Sequence, residues 1–149
     1  MRQMNSKMEK LLSSLPDKCV LHPYFSQVVD EGFILENGCL FLKRLRAERM
    51  PPSLKHVGDE TGVEVFVNSL HTDDYVSNGH VEQAIKLSTE LESKWRRHYG
   101  TVNSVKPIIV IAGTEFGMNI KLFNKREEHP YLTNDLESYE QPILQVEFE

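Results

Sequence analysis

The stretch "KPIIVIAGTEFGMNIKLFNKR", residues 106–126, restricts the fold more than any other part of the chain. "PIIVIAG" is an unbroken apolar run, the pattern of a central strand. "MNIKLFN" alternates, with Met118, Ile120 and Leu122 set against Asn119 and Lys121, as a strand does. Only "GTEFG" lies between them, a tight connection that predicts antiparallel pairing. "PILQVEFE" then adds a last strand. Leu144, Val146 and Phe148 face in, Gln145, Glu147 and Glu149 face out, and Pro142 stands where a strand start tolerates a missing N–H.

A helix long enough to cover such a sheet precedes it. In "NGHVEQAIKLSTELESKWRRHYG" the residues Val81, Ala84, Ile85, Ser88, Leu91, Trp95 and Tyr99 form one stripe at helical spacing. Arg96, Arg97 and His98 suit the negative end of the helix dipole, and Gly100 suits its termination. Trp95 therefore reads as core.

Shorter elements lead up to it. "NSKMEKLLSSL" is a short amphipathic helix stopped by Pro16, and "HPYFSQVVDEG" is a second, with Pro23 in its first turn and Gly32 past its end. "FILENGCLFLKRL" is a hairpin, because Asn37-Gly38 fits a type I′ turn. "RAERMPPSLKHVGDETG" reads as a long surface loop. "VEVFVNSL" reads as a strand with Val63, Val65 and Val67 on one face. The expected fold is α+β: one domain over residues 1–149, a mainly antiparallel sheet, a long amphipathic helix at about 80–99 packed on one face, and short N-terminal helices.

Charge is modest in total and uneven in place. The net charge is −5; residues 1–20 carry four bases and two acids, and residues 101–149 carry four bases and eight acids. From Glu127 to Glu149 there are seven carboxylates and no Lys or Arg. A phosphate-binding surface has the opposite character, so direct binding of nucleic acid is disfavoured, although "KRLRAER" near residue 45 is locally basic. No run approaches the ~20 apolar residues of a membrane span. The basic N-terminus lacks the apolar core of a signal peptide, and the expected compartment is the cytoplasm. Cys19 and Cys39 have no CxxC spacing and sit among apolar neighbours, as buried free thiols do.

Chemical motifs are sparse. His71, Asp73 and Asp74 form the one tight cluster of metal-ligand types but lack HxxxH or HExxH spacing; His22, His56, His80, His98 and His129 are scattered. There is no nucleophile elbow, and "GTEFG" lacks the Gly-Lys-Ser/Thr ending of a phosphate loop. No catalytic, cofactor-binding or metal residue is assigned, and no cofactor is expected. The segment "EEHPYLTNDLESYEQ" is more informative. It interleaves Glu127, Glu128, Asp135, Glu137 and Glu140 with Tyr131, Leu136 and Tyr139, the composition of a partner-facing surface.

Two blocks, "VEVFVNSLHTDDYV" and "FGMNIKLFNKREEHPYLTNDLESYEQPILQVEFE", resemble segments of immunity proteins from contact-dependent growth inhibition and related polymorphic toxin systems. Together they cover about a third of the chain. The resemblance implies a cytoplasmic inhibitor that binds one cognate toxin domain 1:1. Such a toxin is commonly a nuclease, often an RNase acting on tRNA, and the inhibitor occludes its basic substrate surface without turnover. Charge and expected exposure, rather than the resemblance, select Asp135, Glu137, Tyr139 and Glu140, with Asp73 and Asp74, as partner-binding residues. Two alternatives stand beside this: a phage or bacterial accessory module that binds another protein, and a small hydrolase using His71 and neighbouring acids.

Overall fold

The computed structural model describes residues 1–148 apart from Asp17, Asn103 and His129. The expected outward position of Glu149 and the histidine at 129 thus lie outside the described residues. In chain order the elements are β1 (Arg2–Met4), α1 (Ser6–Leu12), α2 (Pro23–Glu31), β2 (Phe33–Glu36), β3 (Cys39–Leu42), α3 (Lys43–Glu48), α4 (Leu54–Val57), α5 (Glu60–Val67), β4 (Ser69–His71), α6 (His80–Tyr99), β5 (Pro107–Gly113), β6 (Met118–Asn124) and β7 (Ile143–Glu147). The fold is α+β. Five antiparallel strands form one sheet in the order β1-β7-β5-β6-β4, and β2-β3 is a separate hairpin.

Central β5 explains its own sequence. Ile109 and Ile111 enter the main core with Leu70, Ile120, Leu122, Leu144 and Val146, beneath Ala84, Leu87, Leu91 and Trp95 of α6. Ile108 and Val110 enter a smaller cluster on the opposite, outer face with Phe123, against Val65 and Leu132. A strand covered on both faces has no polar side to show, so its apolar run is continuous. The β2–β3 hairpin forms as expected, with Asn37 at φ 52° and Gly38 at φ 79°.

Four findings depart from expectation. "VEVFV" is helical, not extended. Asp59 caps α5 by accepting from Gly62 N at 2.8 Å, and the buried residues Val63 and Val67 recur at i, i+4 rather than at period two. The segment read as a long loop contains the end of α3, all of α4 and the start of α5. Leu45, fully buried, anchors α3, and Pro51-Pro52 separate it from α4. β1 was not expected: Arg2, Gln3 and Met4 pair with Val146, Gln145 and Leu144. Cys19 is only half-buried, whereas Cys39 is buried.

Polar side chains of α5 and of Asn68, which caps its C-terminus, join the hairpin to the sheet. Asn68, 1% exposed, accepts from Leu42 N at 2.9 Å and donates to Leu40 O at 2.8 Å and Leu122 O at 3.1 Å. Glu64, fully buried, accepts from Leu40 N at 2.7 Å, from Asn124 N at 3.2 Å and from the guanidinium of Arg126 at 2.5 and 3.2 Å. Asn68 and Glu64 thus pair with the β3 backbone where a neighbouring strand otherwise would.

Candidate partner-binding site

Strand register places the turn that carries Asp73 and Asp74, and the stretch that leads from Glu140 into β7, at one end of the sheet. His71 pairs with Asn119, which pairs with Ala112, which pairs with Ile143. Next to that row, Met4 pairs with Leu144. Asp73 and Asp74 follow His71 in a single 3₁₀ turn, and both are exposed. Residues 138–142 enter β7 at the same end, three strand spacings away, or about 14 Å. The β5–β6 turn, carrying Glu115 and Phe116, stands between them.

The loop from β6 to β7 is held at both ends. Arg126 binds Glu64 as it leaves β6, and Lys125 pairs with Glu147 at 3.0 Å. Asn5, 1% exposed, donates to Leu136 O at 3.2 Å and Gln141 O at 2.8 Å, while its Oδ1 accepts from Ile143 N at 3.0 Å and from Met8 N at 3.1 Å. One asparagine thereby caps α1 and fixes the loop's return to the sheet.

Within the loop the acids divide by use. Glu137 accepts from Ser6 N at 2.5 Å and Ser6 Oγ at 2.8 Å, so it satisfies the first turn of α1. Asp135 accepts from Glu137 N at 3.2 Å and shapes its own turn. Tyr139 is half-buried and its hydroxyl accepts from Thr133 N at 3.0 Å. Glu140 accepts from Lys7 Nζ through its main-chain oxygen, and the residue is exposed. Of the six selected residues, Asp73, Asp74 and Glu140 present carboxylates with least internal engagement; Glu137 is engaged with α1.

Sequence reasoning passes over Phe116. It is 70% exposed at the tip of the β5–β6 turn. Thr114 Oγ1 accepts from Phe116 N at 3.3 Å and Gly117 N at 3.0 Å, and Thr114 N donates to Gly117 O at 2.8 Å. Gly117 packs so closely that a Cβ there would lie 2.7 Å from Thr72 Oγ1 and 2.8 Å from His80 Nδ1. Thr72 itself accepts from Met118 N at 2.9 Å and hydrogen-bonds His80 Nδ1 at 2.8 Å. The exposed ring is thus carried on a turn bolted to the Asp73-Asp74 turn and to the start of α6. The "GTEFG" spacing announces the turn; nothing local announces how far its phenylalanine stands out.

The remaining chemistry-bearing residues are dispersed. His71 is exposed at the end of β4, and its side chain shares the outer face with Ser69 and Lys121. Among the described residues, no group of three or more His, Cys, Asp or Glu side chains is placed to hold a metal ion. Both thiols are free, and burial pushes each above its ordinary pKa. No helix of the described residues is long and apolar enough to cross a membrane.

Comparison with known proteins gives one family. The profile described as "Uncharacterized protein PM0498 family" matches residues 3–149. A curated relative, "Uncharacterized protein PM0498" of Pasteurella multocida (strain Pm70), is 30% identical over 79 residues, covering 49% of this chain and 50% of the relative. The matched region therefore spans about half the length of that relative. No solved structure matches the chain.

Proposed function

We propose that this chain, which belongs to the Uncharacterized protein PM0498 family, is a toxin-neutralising immunity protein that works by binding. It acts in the cytoplasm and covers the basic substrate surface of a cognate toxin domain, a nuclease by class. The observation that supports this best is the acid-bearing sheet end with a rigid aromatic at its centre. Asp73, Asp74, Glu115 and Glu140 are exposed around Phe116, which is 70% exposed. A fixed aromatic supplies apolar contact area at little entropic cost, and surrounding carboxylates steer a cationic partner. The same carboxylates repel nucleic acid, so a bound inhibitor and a bound substrate exclude each other.

The test is co-expression with the toxin domain encoded beside the gene, followed by binding kinetics on the purified pair. Asp73→Asn, Asp74→Asn and Glu140→Gln combined slow association and flatten its salt dependence. Phe116→Ala acts on dissociation, raising its rate by about thirtyfold for a central hot spot. Glu137 is left intact because its loss leaves Ser6 N, in the first turn of α1, without its acceptor. No complex and no rescue of growth sinks the immunity reading. A complex indifferent to all four substitutions moves the interface away from this end.

A further inference from the structure

The outer face of the sheet carries a second and oppositely charged feature. Arg49, Val65, Phe66, Ser69, His71 and Lys121 line an open hollow of about 540 Å³. None of the six is acidic, although the chain carries −5 overall. Ser69 pairs with Lys121 across β4 and β6, and His71 is two residues further on, so all three side chains point to the same face. Phe66 lies on a flank of α5 beside the buried Val63 and Val67, and is 55% exposed.

Both of its cations, Arg49 and Lys121, are positioned. Arg49 Nη1 donates to Val67 O at 2.8 Å and Ser69 O at 2.5 Å, fixing the guanidinium at the sheet edge. Its Nε and Nη2, the edge that grips an oxyanion with two parallel bonds, donate to no described residue. Lys121 Nζ donates to Tyr131 OH at 3.1 Å and lies 5.8 Å from that ring's centroid. Lys121 and Tyr131 also line the adjoining hollow, so a second aromatic borders the cationic group.

We infer that this hollow binds a small phosphorylated ligand bearing a planar ring, of which a nucleoside monophosphate is the test case. Arg49 and Lys121, with His71 beside them, take the phosphate, and Phe66 takes the ring. Gathering cations without a carboxylate among them is repulsive in the free protein, and an anion relieves that repulsion. The exposed face of Phe66 gives a planar group a stacking surface. The volume suits a single nucleotide. A polynucleotide is the poorer occupant, since it would run into the acid-bearing end of the same sheet. The hollow borders the surface proposed above for a toxin, since His71 directly precedes the turn with Asp73 and Asp74, but the two share no residue and neither reading depends on the other.

The experiment is an NMR titration of the intact chain with AMP, adenosine and inorganic phosphate in parallel, following the resonances of Phe66, His71 and Lys121. AMP shifts these signals and binds at least about tenfold more tightly than either part alone, as expected when a charge-assisted bond and a stack act together. Lys121→Gln weakens AMP by about tenfold and leaves adenosine unaffected. Phe66→Leu keeps an apolar side chain, so folding is retained, yet weakens AMP by about fivefold and leaves phosphate unaffected. Equal binding of AMP and phosphate overturns the ring's role. Equal binding of AMP and adenosine overturns the cations' role. Shifts confined to other residues, or none at millimolar AMP, overturn the site.

Discussion

Replacing Arg126 by Met tests the central electrostatic claim of the fold. Glu64 is fully buried and takes four N–H donors, two from Arg126 and one each from Leu40 N and Asn124 N. Burial pulls the Arg126 pKa down, but the bonds and charge of Glu64 outweigh it, so the guanidinium is held above its ordinary value and stays charged. Methionine keeps most of the apolar stem and removes the charge. The carboxylate left behind is either ionised without a counter-ion, which costs about 3–5 kcal/mol, or it takes up a proton. At pH 7, protonating a carboxyl of ordinary unfolded-state acidity costs about 1.36 × (7 − 4.3), or about 3.7 kcal/mol. The two routes agree, so the variant loses about 3.7 kcal/mol at pH 7.

The second route gives the pH dependence and its sign. A folded variant that binds a proton more strongly than its unfolded chain gains stability as pH falls. At pH 5 the protonation cost drops to about 1 kcal/mol, so about 2.7 kcal/mol of the penalty disappears. Urea unfolding followed by the single tryptophan reads this directly, because Trp95 is 4% exposed. With a slope near 2 kcal/mol/M, the midpoint falls by about 2 M at pH 7 and by about 0.5 M at pH 5. Glu64→Gln is the control. Both oxygens of Glu64 accept backbone N–H groups, so an amide must turn its NH₂ toward one of them, costing about 1–3 kcal/mol without that pH dependence. A penalty below about 1 kcal/mol at pH 7, or one equal at pH 5 and 7, refutes the buried-pair reasoning.

Two further outcomes are expected. Asn68→Ala orphans Leu42 N, Leu40 O and Leu122 O together and costs about 3 kcal/mol or more by urea unfolding; faster amide exchange at Leu42 reports the same opening, and a loss below about 1 kcal/mol contradicts it. With both thiols pushed up by burial, alkylation of the folded protein at pH 8 is slow at Cys19 and slower still at Cys39, which is 6% exposed; mass spectrometry showing Cys39 modified first refutes that order.

The parts of the fold that were legible obey local rules. Asn37-Gly38, the stripe of α6 and the alternation of β6 each carry their instruction within a few residues. Segment α5 does not. Its valines favour a strand locally, and two features reverse that choice. One is the Asp59 cap, local but easily read as loop chemistry. The other is the partnership of Glu64 and Asn68 with β3 and β6, which spans 24 to 60 residues of chain. In a strand, both side chains would leave the β3 backbone groups unpaired. β1 was illegible for a simpler reason: three residues carry too little pattern, and only the paired edge of β7 makes them a strand.

The acidic C-terminal run was legible as composition and illegible as function. A carboxylate does the same chemistry to its own backbone N–H as to a partner's ammonium, so sequence alone ranks Asp135, Glu137 and Glu140 together. The fold separates them by what lies within reach. Glu137 meets the start of α1, 131 residues away, and Glu147 meets Lys125. Glu140 remains outward at the same sheet end as Asp73, Asp74 and Glu115. Around them the aromatic test is sharper than the charge test. An acid at that end could serve solubility alone, and so its loss could leave binding unchanged. Phe116 is held in place by Thr114 and by the Gly117 contact, yet its ring is left to solvent. If that end is an interface, Phe116→Ala changes the dissociation rate more than any single carboxylate does; if it changes nothing while the acids do, the surface steers a partner that docks elsewhere.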